Sequence, residues 1–168
     1  MRRTQKQFRP VRRFETLERR AMLAGNVGAQ QLTGFLLITG DDASNAIQIT
    51  QVDPTTFKVT GLGTKVNGSN SPQIITGVTG GIGIQMLGGN DVVTLKNIST
   101  GSIEATLGTG NDTLVATGVN TNFITEFEGE DGNNSIVIDN CNGWFRGDTV
   151  SALPSWRMLV LEGMCHWA

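Results

Sequence analysis

Tyrosine is absent from the 168 residues, histidine occurs once, cysteine twice and proline four times. Each scarcity closes an option. A Ser-His-Asp triad would have to recruit His166, three residues from the C-terminal end. Cys165-His166 lacks the further ligands that a zinc site needs. Charged residues are only 17% of the chain, too few for a nucleic-acid-coating tail. No apolar run approaches the roughly 18 residues of a membrane-spanning helix. What is abundant instead is glycine (22), threonine (20) and asparagine (13). With 38% hydrophobic residues, that composition predicts many short strands, tight turns and a packed core.

The formal net charge of -2 conceals two opposite regions. Residues 1–20 carry eight basic residues against Glu15 and Glu18, a net +6, and the remainder carries a net -8. Such asymmetry marks a separate arm. An acidic body is not expected to bind nucleic acid. The arm lacks the apolar stretch of a standard secretion signal, because Ala21-Met22-Leu23-Ala24 spans only four residues. Phe14, Leu17 and Met22 suit a short amphipathic helix, and a frayed, solvated arm is the alternative.

A repeat dominates the body. Asn45, Asn67, Asn90, Asn111 and Asn133 lie 22, 23, 21 and 22 residues apart. The last three sit in Leu87-Gly88-Gly89-Asn90-Asp91, Leu107-Gly108-Thr109-Gly110-Asn111-Asp112 and Gly129-Glu130-Asp131-Gly132-Asn133-Asn134. An alternating apolar segment precedes and follows each: 82–87 and 92–96, 103–107 and 113–116, 123–127 and 135–138. Period-two alternation predicts strands with one buried face. A strand–turn–strand unit of fixed period cannot bury that face alone, and stacking makes the core continuous. The predicted fold is therefore all-β: a short parallel β-helix or solenoid-like stack of ~22-residue repeats. An antiparallel sandwich or meander is the alternative, since Gly-Asn-Asp turns also close hairpins.

Two short stretches resemble known families. Leu17-Glu18-Arg19-Arg20-Ala21-Met22-Leu23 resembles the LEPR-XLL motif found near the start of large, repeat-rich surface or secreted proteins of planctomycete bacteria. Arg19 and Met22 stand where that motif has Pro and Leu. The resemblance implies an extracellular or cell-surface location. Gly108-Thr109-Gly110-Asn111-Asp112-Thr113-Leu114 resembles the RTX nonapeptide apart from its first glycine. That resemblance implies calcium held by loop carbonyls and the Asp112 carboxylate, calcium being a cation that prefers hard oxygen ligands. The candidate ligands are Asp91, Asp112, Asn111 and Asp131. The competing reading makes these corners plain turns that hydrogen-bond their own backbone.

The expected organisation is a basic arm over 1–27, a β-repeat domain over 28–140 and a C-terminal cap or non-repeat tail over 141–168. That tail holds all three tryptophans, both cysteines and the histidine. Trp144, Phe145 and Trp156 are expected to cover the last repeat, and 157–164 reads as a final strand or a short helix. The abrupt change of composition also fits a truncated end of a longer repeat protein. Cys141 and Cys165 are either one disulfide or two thiols. Arg146-Gly147-Asp148 reads as an ordinary turn. The function these features predict is non-catalytic: a structural or binding module of a surface or secreted protein. Cell-surface or matrix components are the expected partners, and an open sheet edge would favour end-to-end self-association. A calcium-binding module is the second reading and a carbohydrate-active β-helix enzyme, using stacked Asp91 and Asp112, the third.

Overall fold

The computed structural model describes residues 25–148, together with the backbone of 157–161 and 165–167. The arm's predicted helix and the side chains of Trp156, Cys165 and His166 lie outside the described residues. Among those described there is no helix.

The strands are β1 (Asn26–Leu32), β2 (Phe35–Thr39), β3 (Ala46–Asp53), β4 (Thr56–Gly61), β5 (Lys65–Val66), β6 (Gln73–Ile75), β7 (Ile82–Gln85), β8 (Val92–Thr100), β9 (Ile103–Thr106), β10 (Thr113–Glu128), β11 (Ser135–Asp139), β12 (Asn142–Asp148), β13 (Arg157–Leu161) and β14 (Cys165–Trp167). All belong to one mixed sheet. The expectation of a purely parallel stack is corrected here, because β1–β2, β3–β4 and β4–β6 are antiparallel.

The antiparallel part has local causes. Thr33 and Gly34, both at positive φ, join β1 to β2 in the two-residue turn whose twist suits a hairpin. Between β3 and β4 the turn is Pro54-Thr55. Proline presets its first residue, and Asp53 Oδ1 accepts the Thr55 N–H at 2.9 Å.

From β7 onward the pairing is parallel. β2, β7, β9 and the second half of β10 form one ladder, with Ile82 opposite Ile103 and Glu104 opposite Glu126. β3, β8, the first half of β10 and β11 form another, with Ile47 opposite Val93, Val93 opposite Leu114, and Leu114 opposite Ile136. β10 belongs to both ladders, so the sheet turns a corner along it. The far ends of the sheet also approach: the Ala46 N–H of β3 donates to Thr64 Oγ1, at the entry to β5, at 2.7 Å, and Gln31 Nε2 of β1 donates to the Gly77 carbonyl, just past β6, at 3.3 Å. The sheet therefore nearly closes on itself.

Alternation puts Leu36, Ile38, Ile47, Ile49, Ile82, Ile84, Val93, Leu95, Leu114, Ile136 and Ile138 inside, in a single core cluster. Neighbours in the ladders complement one another in volume. Phe127 stands between Ala105 and Gly147, which leave room for its ring, and it packs against Phe145 with centroids 6.0 Å apart.

The described residues 142–148 do not leave this pattern. β12 pairs in parallel with β10, and β13 and β14 pair in parallel with β11 and β12 at the same spacing of 22. Arg146-Gly147-Asp148 is strand, paired with Glu126-Phe127-Glu128, and the expected turn there is corrected. Residues 157–161 form a strand, the first of the two options for that segment. Of the residues expected to cover the last repeat, Trp144 is half exposed and Phe145 is buried. β1 begins one residue inside the boundary expected for the arm.

Candidate functional site

The Gly-Asn-Asp corners stack, and each contributes two columns of side chains. Glycine makes the corner possible. Gly89, Gly110 and Gly132 have φ of 109°, 139° and 112°, and a Cβ on Gly110 would overlap the Gly89 carbonyl oxygen of the preceding corner. Asparagine does not take that backbone role at these corners: Asn90 and Asn111 supply side-chain acceptors instead. Left-handed asparagine appears at a second bend, where Asn97, Gly118 and Asn140 stack with φ of 52°, 64° and 47°.

The outer column is Ser44, Asn90, Asn111 and Asn133, all exposed. The Asn90 N–H donates to Ser44 Oγ at 3.0 Å, the Asn111 N–H to Asn90 Oδ1 at 2.8 Å, and the Asn133 N–H to Asn111 Oδ1 at 2.9 Å. The inner column is Asn45, Asp91, Asp112 and Asn134, with exposures of 0–2%. Its bonds run the opposite way. The Asn45 N–H donates to Asp91 Oδ1 at 2.7 Å, the Asp91 N–H to Asp112 Oδ1 at 2.7 Å, and the Asp112 N–H to Asn134 Oδ1 at 2.8 Å. The turn reading held that these side chains bond their own backbone. In the structure the Oδ1 atoms of Asn90, Asp91, Asn111, Asp112 and Asn134 accept from the backbone of the neighbouring repeat, which ties the corners together, while Asn45 and Asn134 also bond their own corner's backbone through Nδ2.

The phase of the repeat differs from the sequence expectation in two places. Asn45 belongs with Asp91, because Ala46 opposes Val92, so Ser44 is the partner of Asn90. Asn67 belongs to neither column. It sits beyond β5 at φ 51° and clamps β1, accepting the Ala29 N–H and donating to the Ala29 carbonyl, both at 2.8 Å.

Of the four candidate calcium ligands, two come together. Asp91 and Asp112 are adjacent in the inner column. Asn111 is in the outer column, and Asp131 is an exposed residue of the third corner whose carbonyl accepts the Gly110 N–H. Among the described residues no three His, Cys, Asp or Glu side chains converge. A calcium cage takes six to eight oxygens, and the four candidates do not assemble one.

The inner carboxyls are electrostatically unusual. Burial pushes Asp91 up to about 7, and the negative charges of Asp112 and Asp41 push the same way; the hydrogen bond from Asn45 opposes them. Burial likewise raises Asp112, against the hydrogen bond it accepts from Asp91. Asp91 Oδ2, Asp112 Oδ2 and Asn45 Oδ1 are buried without a hydrogen-bond partner.

A second feature escaped the sequence reading. In β10 three residues, Thr121 to Phe123, face the single Gly143 of β12. Such a bulge pushes side chains outward. Phe123 and Ile124 are well exposed there, and with Ser102, Asn122, Trp144 and Arg146 they line a cleft of about 660 Å³. Arg146 Nε also lies 3.7 Å from Glu126 Oε1. No regular apolar period marks a bulge, so its only signal is the spacing between repeats, which falls from 22 to 20 across it.

Cys141 is buried, with its Sγ accepting the Val119 N–H at 3.3 Å. Among the described residues no helix is long and apolar enough to cross a membrane. No family model, curated protein or solved structure matches the chain.

Proposed function

We propose that the protein is a non-catalytic structural or binding module, built as a short solenoid and working at the cell surface or outside the cell. The observation that carries this reading is the spacing. Parallel partners from β7 to β14 stand 21 or 22 residues apart, apart from the bulge, and both corner columns follow the same spacing from Asn90 and Asp91 onward. A chain in which each repeat contacts its neighbours gives length and rigidity, not a pocket. The two perturbed carboxyls also fit a structural role, because they are sealed among backbone groups at 0% and 1% exposure, out of reach of a substrate. The location rests on the resemblance of residues 17–23 to the LEPR-XLL motif.

The architecture is tested by inserting a second copy of residues 92–112 after Asp112. The expected protein folds cooperatively and lengthens by about 4.8 Å in solution scattering, one strand spacing. Aggregation, or folding without added length, would refute the solenoid. The location is tested by adding protease to intact source cells. Cleavage of the full chain before lysis is expected, and protection until lysis would refute the surface assignment.

A further inference from the structure

The inner column contains a chemical mismatch. Its members share one geometry: in Asn134, Asp112 and Asp91 the Oδ1 atom accepts the N–H of the preceding repeat. In Asn134 the other terminal atom, Nδ2, donates to the carbonyls of Gly129 at 2.8 Å and Glu130 at 3.4 Å. Asn45, at the opposite end, also uses Nδ2 as a donor, to Ala43 O at 2.7 Å and Asp41 Oδ1 at 3.0 Å. With Oδ1 placed alike, Oδ2 of Asp112 and of Asp91 occupies the position of that amide nitrogen. By the repeat spacing, the carbonyls equivalent to those of Gly129 and Glu130 are Leu107 and Gly108 for Asp112, and Met86 and Leu87 for Asp91.

An ionised carboxylate has only acceptors to offer at that position. It would direct negative charge at carbonyl oxygens in a site without water access, which is costly. A protonated carboxyl carries one O–H and can donate where the amide does. Both Oδ2 atoms lack a donor partner, as a carboxyl that must itself donate would. The surrounding charges favour the neutral form. Asp41 and Asp42 lie on the segment joining β2 to β3, Asp91 and Asp112 face each other, and Glu130 and Asp131 belong to the next corner. Among the described residues the ion pair within 4 Å is Arg146–Glu126, on a different face, so no such cation offsets this column.

We propose that Asp91 and Asp112 are held as neutral carboxylic acids, each donating its Oδ2–H to a corner carbonyl as Asn134 donates its amide. The column is then a proton-dependent lock on the stacked corners. It holds when both acids are protonated and loosens when they ionise. Because the folded chain keeps these protons to higher pH than the unfolded chain, the column's contribution to stability is greatest in acid and declines as pH rises. The decline begins near the ordinary aspartate value of about 4 and levels off above the folded value.

The test uses the full chain and the D91N/D112N variant, which replaces both acids by the amide already present at each end of the column. Thermal unfolding is followed from about pH 4.5 to 8.5 at constant ionic strength, in EDTA and in millimolar calcium chloride. The wild type is expected to lose roughly 5 °C or more between pH 5 and 8 in EDTA. The variant should lose much less and melt above the wild type at pH 8. Infrared spectra of the wild type with ¹³C-labelled aspartate give an independent readout should the variant fold poorly, and a protonated carboxyl band near pH 5.5 is expected. The proposal is overturned if wild type and variant show the same pH dependence. It is equally overturned if the spectra show only carboxylates at pH 5.5, with calcium raising the melting temperature of the wild type alone, since the Oδ2 atoms would then be cation ligands.

Discussion

The two corner columns differ by one residue in sequence and by most of their physics. Asn111 and Asp112 are consecutive, and each has an oxygen that accepts a backbone N–H from a neighbouring repeat, at 2.9 and 2.7 Å respectively. One column is exposed, where water can replace a lost acceptor. The other is sealed, and a lost acceptor there leaves a buried N–H with nothing to bond. The hydrogen bonds look alike, so burial decides their worth. Their opposite directions matter too. Each corner donates an N–H to the repeat before it through the outer column and to the repeat after it through the inner one, so every step between corners is crossed by both columns.

Substitutions can sharpen this contrast. The largest effect is expected at the glycine that precedes the two column residues in each corner. Gly110→Ala forces an L residue to φ 139° and drives its Cβ into the Gly89 carbonyl. A loss of about 3 kcal/mol or more is expected in chemical denaturation, enough to unfold a marginal domain. Next comes Asp112→Ala, which orphans the buried Asp91 N–H; a loss of about 2 kcal/mol is expected. Asn111→Ala removes the matching bond from the exposed column and should cost only about 0.5–1 kcal/mol by the same measurement. Equal losses at 111 and 112 would show that burial does not separate the columns.

Much of the fold was legible because it rests on alternation. Ile82-x-Ile84, Ile103-x-Ala105 and Ile136-x-Ile138 mark strands, and their spacing marks the repeat. The antiparallel start was not legible. Its hairpins depend on Thr33-Gly34 and on Asp53-Pro54-Thr55, short signals buried among many similar dipeptides in a chain rich in Gly and Thr. Of the site, Asp91 and Asp112 were found, but as candidate calcium ligands and not as members of a buried column. The residue type identified the carboxyls and could not state which way they faced. Strand phase does state it. If Val93 and Leu114 point inward, residues two before them, Asp91 and Asp112, point inward as well. The same reasoning places Asn45, two before Ile47, in the inner column, whereas counting asparagines placed it with Asn90. Asn67 shows the opposite failure, a residue at the right interval whose partner, Ala29, lies in a strand outside the repeat.

The antiparallel strands precede the parallel ladders along the chain, which gives the molecule an order of assembly. Parallel pairing is slow to start, because a loop of about 20 residues must close before its first bond forms. Hairpins such as β1–β2 and β3–β4 close over two residues and leave the ribosome first. They present β2 and β3 as ready edges, which β7 and β8 reach across 46 residues (Leu36 to Ile82, Ala46 to Val92) and on which later repeats add at 21 or 22. The N-terminal hairpins thus act as a seed for vectorial folding during synthesis, and the chain behind them adds to an existing template at every step.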